Sequence, residues 1–177
     1  MGKNQDYEMK LYSKRTLIEP ILENDIPAII DMYNERDSFK YVKALDGKSD
    51  DFYERFLQNK IESNRNDIGF WVVKEKKSLE FIGTVNLNQF ASTSMIHMGC
   101  HLKRKFWNNG FATELLKRIL DYGIKEKKLQ EVFGIFDEEN SVSRRLLEKM
   151  EFKYFEDQTF LDTKVIVYRY MSKGLSK

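Results

Sequence analysis

The chain has 177 residues, of which 41% are hydrophobic, 14% aromatic and 33% charged. That length buries a core large enough to need no disulfide or metal staple, and the aromatic content excludes a disordered chain. Its 30 basic and 28 acidic residues leave a formal net charge of +2, too balanced for a dedicated nucleic-acid binder, so nucleic acid is disfavoured as a main ligand.

One cysteine, Cys100, excludes an internal disulfide and fits a reducing, cytoplasmic setting. Met1 to Lys10 carries no signal-peptide pattern, and no window approaches the ~20 apolar residues of a membrane span. No repeat, low-complexity tract or Pro/Gly-rich linker interrupts the chain. Residues 1–177 are therefore expected to form a single domain, with its core at about 10–172.

Leu11 to Leu22 holds β-compatible residues and reads as a first strand, ending at Pro20. Asn24-Asp25-Ile26-Pro27 is a helix start, a polar cap followed by proline in the first turn, and Ile26, Ile29, Ile30 and Tyr33 then keep helical spacing. Ser49 caps a second helix with Phe52, Phe56, Leu57, Lys60 and Ile61 on one side. Gly69–Lys74 and Phe81–Phe90 read as strands, and Ala91–Ser94 as a hairpin turn into a third, Met95–Leu102. On that strand Ile96, Met98, Cys100 and Leu102 share one face, while His97, Gly99 and His101 share the other. Zinc wants ligands drawn from more than one segment, so the H-x-x-C-H run of His97, Cys100 and His101 is not expected to bind metal.

Gly110 to Lys127 is the clearest helix, with Ala112, Leu115, Leu116, Ile119, Leu120 and Gly123 in an apolar stripe. Glu131–Phe136 is a buried strand. Asn140 caps a helix whose core face is Val142, Leu146, Leu147 and Met150, and two strands close the chain near Lys153–Phe160 and Lys164–Met171. The order predicts a mixed α/β domain of about seven strands and four helices. The strand–helix–strand step from Met95 to Phe136 implies a parallel crossover, with antiparallel hairpins on either side.

Phe106-Trp107-Asn108-Asn109-Gly110-Phe111-Ala112-Thr113-Glu114 carries the most chemistry. It turns from a strand into an amphipathic helix, where free backbone N–H groups and the helix dipole suit a phosphate or pyrophosphate. Gly110 allows close approach, and Ala112 keeps the first turn small. The plainer alternative is a loop-to-helix junction built on Asn and Gly. The run is neither a P-loop, since no Gly-Lys-Ser/Thr follows, nor a three-glycine Rossmann fingerprint.

This run resembles the acetyl-CoA signature of the GNAT superfamily, Gln/Arg-x-x-Gly-x-Gly/Ala, here Trp107-x-x-Gly110-x-Ala112. The tryptophan and the Ala112-Thr113-Glu114 that follows are similar to the RimJ/RimL branch, which acetylates protein N-termini. So are Asn140-Ser141-Val142-Ser143 with Leu147-Glu148-Lys149-Met150-Glu151-Phe152, and the opening Arg15-Thr16-Leu17-Ile18-Glu19-Pro20. The resemblance implies the GNAT acyl-CoA N-acyltransferase fold, a twisted, mostly antiparallel sheet with one splayed parallel pair. It further implies an acyltransferase without metal that moves acetyl from acetyl-CoA to a primary amine by direct attack. The acceptor is a protein N-terminus or a small amine such as a polyamine, and a homodimer is compatible. A non-catalytic acyl-CoA-binding module is the alternative outside enzymology.

Residue by residue, the resemblance implies that the backbone of Cys100, His101 and Leu102 holds pantetheine and polarises the thioester. Trp107, Asn108, Asn109, Gly110, Phe111, Ala112 and Thr113 would cradle the phosphates, with Asn140 and Ser143 also touching the cofactor. Ser143 matches the serine that protonates the leaving thiolate, although a serine there also serves as a cap partner. His97 stands where relatives carry a glutamate and is the candidate base, against an ordinary strand histidine. Read from the residues alone, Lys103-Arg104-Lys105 is the one stretch that would serve a nucleic-acid-binding domain, against a cofactor-phosphate patch or a solvated loop. Three departures bear on these expectations. Trp107 replaces a polar residue, leaving pyrophosphate to the backbone. Leu147 stands where the polyamine branch has tyrosine, which weakens that reading. Glu151 occupies the usual glycine position, and a Cβ costs roughly 1 kcal/mol if φ is positive there.

Overall fold

The computed structural model describes residues 10–64 and 68–173; most of the N-terminal segment read above for a signal peptide lies outside them. The stretch expected as one opening strand is two, β1 (Leu11–Tyr12) and β2 (Thr16–Pro20), so the strands among the described residues number eight. The break has a local cause: Ser13 Oγ accepts the Thr16 amide at 3.0 Å, closing a turn within the run. Then follow α1 (Ile26–Tyr33), α2 (Asp50–Ser63), β3 (Gly69–Glu75), β4 (Phe81–Gln89) and β5 (Ile96–Leu102). The chain closes with α3 (Phe111–Asp121), β6 (Glu131–Asp137), α4 (Ser141–Lys149), β7 (Lys153–Phe160) and β8 (Thr163–Met171).

All eight strands form one sheet in the order β1-β2-β3-β4-β5-β6-β8-β7. Every neighbouring pair is antiparallel except β5 and β6, as the crossover through α3 required. Helices α3 and α4 pack on one face, with Leu115, Leu116, Ile119, Leu147 and Met150 meeting Trp71, Val85, Leu87, Met98 and Val132. Helices α1 and α2 cover the other, with Ile26, Ile29, Met32, Tyr33, Tyr53 and Leu57 against Phe70 and Val72. Among the described residues no helix is long and apolar enough to cross a membrane.

Two expected core faces shift. In α2 the side chains driven fully inward are Leu57, as expected, and Tyr53, which was not, while Phe52, Phe56 and Ile61 are only half-buried. The Tyr53 hydroxyl donates to Leu45 O at 2.8 Å, which lets a polar aromatic fill the core with its proton satisfied. In α4, Val142 is 60% exposed, because it lies in the first turn, before the helix reaches the sheet. The contact that docks α4 is Leu147 over Gly134, where a Cβ would come within 2.5 Å of Leu147 Cδ1. The long helix expected from Gly110 to Lys127 is α3 followed by one π-helical turn over Tyr122–Glu126, which keeps Tyr122 buried edge-on against Trp71.

Glu151 has φ 68, so the position is left-handed as its glycine-like setting implied. The Phe152 amide donates to Leu147 O at 3.1 Å and the Glu151 amide to Glu148 O at 3.0 Å. This is the Schellman ending, with Phe152 buried beside it. The glutamate bears the left-handed backbone without shifting the end of the helix.

Candidate active site

The two parallel strands make a gap. β5 pairs with β4 along its whole length, and β6 does so with β8, but β5 and β6 meet only at His97–Phe133 and Met98–Gly134. Beyond those pairs the backbone edge of Gly99 to Leu102 turns away from β6. Such an edge carries unspent N–H and C=O groups, which an extended amide-bearing chain can pair with as an added strand would.

That edge leads into the turn before α3. A short 3₁₀ turn, Arg104–Phe106, is followed by left-handed residues Asn108 (φ 60) and Gly110 (φ 77). Gly110 is the N-cap of α3, and no side chain caps it. The amides of Phe111, Ala112 and Thr113 therefore face outward at the positive end of an eleven-residue helix. Trp107 contributes through its indole, whose Nε1–H donates to Leu102 O at 2.8 Å and folds the loop back onto the end of β5. Asn109 Nδ2 donates to Trp107 O at 3.0 Å, tightening the same turn.

The loop is held from a distance by two residues whose part in the site local spacing did not reveal. The Arg15 guanidinium donates to Asn109 O at 3.0 Å, lies 4.0 Å above the Phe111 ring and donates through Nε to Glu114 Oε2 at 2.7 Å. Glu114 also accepts from the Arg15 amide at 2.6 Å and from the Ser13 hydroxyl. Burial pushes the Glu114 carboxyl up, but these donors together hold it below the ordinary carboxylate value. The turn between β1 and β2 thus braces the anion loop. Arg15 appeared in the sequence only as part of a strand opening, and Glu114 only as the end of a motif, since nothing local ties two residues so far apart in the chain.

Across the gap, His97 is bound at both ring nitrogens. Nδ1 stands 2.9 Å from Asn88 O and must donate to it, leaving Nε2 as the basic nitrogen, which accepts from Asn86 Nδ2 at 3.2 Å. Burial lowers its pKa to about 4, against a smaller opposing effect of the Asn88 bond and reinforced by Lys60. His101 packs against Phe39 and Tyr33, with Nε2 2.6 Å from Ser38 Oγ. Ser38 gives its own proton to Met32 O, so the imidazole donates. Burial lowers the pKa of His101 to about 4 as well. Cys100 faces α3 on the opposite side of β5, and burial pushes its thiol up to about 12, so it is a neutral thiol at pH 7.

Asn140 ends the turn after β6 and caps α4, its Oδ1 accepting the Ser143 amide at 3.0 Å. The Ser143 hydroxyl is half-buried and makes no hydrogen bond among the described residues. The C-terminal ends of the parallel pair thus lead, from β5, into the open start of α3 and, from β6, into the start of α4, with His97 on the α1–α2 face of β5. An extended thiol-bearing chain ending in phosphates fits this set: edge groups for its amides, helix amides for its anions. Among the described residues no group of three or more His, Cys, Asp or Glu is arranged to hold a metal.

The model of the acetyltransferase (GNAT) domain family matches residues 15–153. An uncharacterized N-acetyltransferase of Bacillus subtilis, YoaA, is 23% identical over 145 residues, 81% of this chain and 82% of its own. The crystal structure of an acetyltransferase of the GNAT family from Bacillus anthracis superposes with a TM-score of 0.79 at 19% identity, covering 93% of this chain and 99% of the other. RimL, a ribosomal L7/L12 alpha-N-protein acetyltransferase solved in complex with coenzyme A, has a TM-score of 0.77 at 11% identity, covering 92% and 98%.

Proposed function

We propose, on the premise that this chain belongs to the acetyltransferase (GNAT) family, that it acetylates a primary amine by direct attack on acetyl-CoA, with a protein N-terminal amine as the acceptor. That the chain is an acetyl-CoA-dependent N-acetyltransferase follows from the family; the acceptor is our reading. It draws on the resemblance of the two signature blocks to the RimJ/RimL branch, and on Leu147 standing where the polyamine branch has tyrosine. We read the protein as a single domain acting in the cytoplasm, in keeping with its lone cysteine.

The observation that carries the reading is the continuity of the unpaired β5 edge with the left-handed cap at Gly110. One ligand can lie along the first and end its phosphates on the second. In this reading Gly99 to Leu102 orient the cofactor's amides and thioester, and the amides of Phe111 to Thr113 hold its phosphates without a side-chain cation. The Ser143 hydroxyl, which has no other partner among the described residues, gives a proton to the departing thiolate and regains one from solvent. Nε2 of His97, once it releases the Asn86 amide, takes the proton of the attacking amine, directly or through one water. Fixing amine and thioester at attack distance can supply about 7–11 kcal/mol of the barrier lowering.

The reading is tested by following free thiol from acetyl-CoA with a peptide bearing a free N-terminal serine, with spermidine and with no acceptor. Thiol release that needs the peptide amine supports the proposal, and an N-terminally blocked peptide should be inert. Release driven by spermidine alone would overturn the acceptor assignment. Absence of any acetyl-CoA-dependent rise in melting temperature would overturn the site, because saturation at 100 times Kd is worth about 2.7 kcal/mol.

A further inference from the structure

Asp137, the last residue of β6, is 3% exposed. Its Oδ1 accepts the Glu139 amide at 2.9 Å, but its Oδ2, also buried, accepts no hydrogen bond among the described residues. Facing Oδ2 is Lys43 Nζ, at 3.4 Å, close enough for charge attraction but not aligned as a donor. The two partners differ sharply in setting: the Lys43 side chain is 54% exposed and that of Asp137 2%. A carboxylate is thus built into the fold, and an ammonium reaches it from a solvated segment. A buried carboxylate with an unused oxygen is costly unless a cation completes it, so the fold keeps this one at a stability disadvantage.

Its position gives the disadvantage a use. The parallel pairs His97–Phe133 and Met98–Gly134, continued along both strands, bring Asp137 level with His101 across the gap. Along β6, Asp137 shares a face with Phe133 and Ile135 and so points to the face on which His97 and His101 stand. The segment between α1 and α2 crosses this face. It is moored near β5 by Ser38 on His101 and by Arg104, whose amide donates to Glu35 Oε2 at 2.6 Å and whose guanidinium donates to Arg36 O and Asp37 Oδ2. On the β6 side its polar tie among the described residues is the misaligned contact of Lys43.

We propose that Asp137 is the seat of the acceptor's ammonium, and that Lys43 occupies that seat in the free enzyme until the acceptor displaces it. The proposal rests on the acetyltransferase reading above. Primary amines reach the enzyme as ammonium ions at neutral pH and must be held before they lose a proton. Asp137 offers a desolvated carboxylate oxygen with lone pairs unspent, on the face of the candidate base but four residues along the sheet from its level, so the ammonium docks there first and gives up its proton only after it has advanced toward His97. Lys43 shows what the seat accepts, a primary ammonium on a slender stem, which the α-ammonium of an extended peptide and the ω-ammonium of an alkylamine share. Asp137 is accordingly a docking residue that sets the affinity for acceptor, and Lys43 competes with it from within.

The test is equilibrium binding to the enzyme saturated with coenzyme A, where no acetyl can move. A free N-terminal serine peptide and spermidine serve as separate probes, so the arms distinguish the two sources of ammonium. Lys43→Met should tighten Kd for the accepted probe about tenfold, the factor expected if Lys43 fills the seat nine-tenths of the time. Asp137→Asn, which keeps the acceptor for Glu139, should weaken binding by tenfold or more. In the double variant the gain from Lys43→Met should vanish. Kd for coenzyme A should stay within a few fold throughout. Weaker or unchanged amine binding by Lys43→Met overturns the proposal, because a merely structural clamp would lose rather than gain. Failure of both probes to bind Lys43→Met, whose seat is vacant, overturns it too. Should the parent reading fail instead, the wild type would not respond to coenzyme A at all.

Discussion

At the scale of single residues, hydrogen-bond partners separate the candidate groups more than residue type does. Ser143 uses its amide for the α4 cap and leaves its hydroxyl unspent, whereas His97 uses both ring nitrogens. Ser143→Ala should therefore leave acetyl-CoA affinity within a few fold and lower kcat by ~10²-fold or more, where chemistry limits the rate. Single-turnover kinetics measures this, and an unchanged chemical step would leave Ser143 as a helix-start residue. His97→Gln should keep acetyl-CoA affinity and reduce kcat/KM for the amine by ~10²-fold. Its imidazole, lowered to about 4, is neutral at pH 7 and charges only near pH 4. An acidic limb carried by His97 must then fall near pH 4, well below the ordinary histidine range, and must disappear in the variant. A limb that persists unchanged assigns the proton to another route.

Elements set what those residues can reach. The start of α3 is a cap without a side-chain ligand, entered through a left-handed glycine and braced by Arg15 and Glu114. Gly110→Asp should weaken acetyl-CoA by ~10²-fold or more, since its carboxylate would stand among the amides offered to phosphate. Gly110→Ala pays a similar backbone cost without the charge and should bind within a few fold. Equal loss in both, by calorimetric titration, would mean the loop needs glycine for shape rather than for the anion. The end of α4 makes the converse case. Glu151 holds φ 68 in a Schellman turn, so Glu151→Gly should raise the melting temperature by about 2–4 °C, the yield of relieving one left-handed side chain in a domain of this size. Its exposed contact with Lys173 offsets little of that. A lower melting temperature would show that the pair outweighs the backbone.

On the scale of the whole molecule, burial of both histidines couples folding to pH. Each has its pKa lowered to about 4 from an ordinary 6.5, so the unfolded chain takes up protons that the folded chain refuses. The stability they confer is complete above about pH 6.5 and is lost as pH falls toward 4. Urea midpoints should already drop between pH 7 and 5.5, where carboxylates such as Glu114, held below their ordinary value, stay charged. A flat midpoint over that interval would contradict the burial of the two rings, and His101→Phe should remove part of the slope.

Local order was legible because its causes lie within a few residues. The cap at Asn140, the alternation from Ile96 to Leu102 and the strand-to-helix turn at Gly110 are written in neighbouring side chains and backbone preference, and the structure keeps all three. Misreadings arose where the partner was remote or the backbone offered a choice. Tyr53 is core because Leu45 O takes its proton, and the first strand breaks because Ser13 can close a turn. By itself, the sequence determined the kinds and order of most elements and the glycine loop that opens α3, since periodicity, caps and turn residues act over one or two helical turns. Only the tertiary structure decided that Arg15 and Glu114 brace that loop, that Asn86 and Asn88 bind the His97 ring, and that Lys43 reaches Asp137 from the segment between α1 and α2. Those pairings join residues brought together only when the sheet assembles, and the burial that sets their charge exists in no segment taken alone.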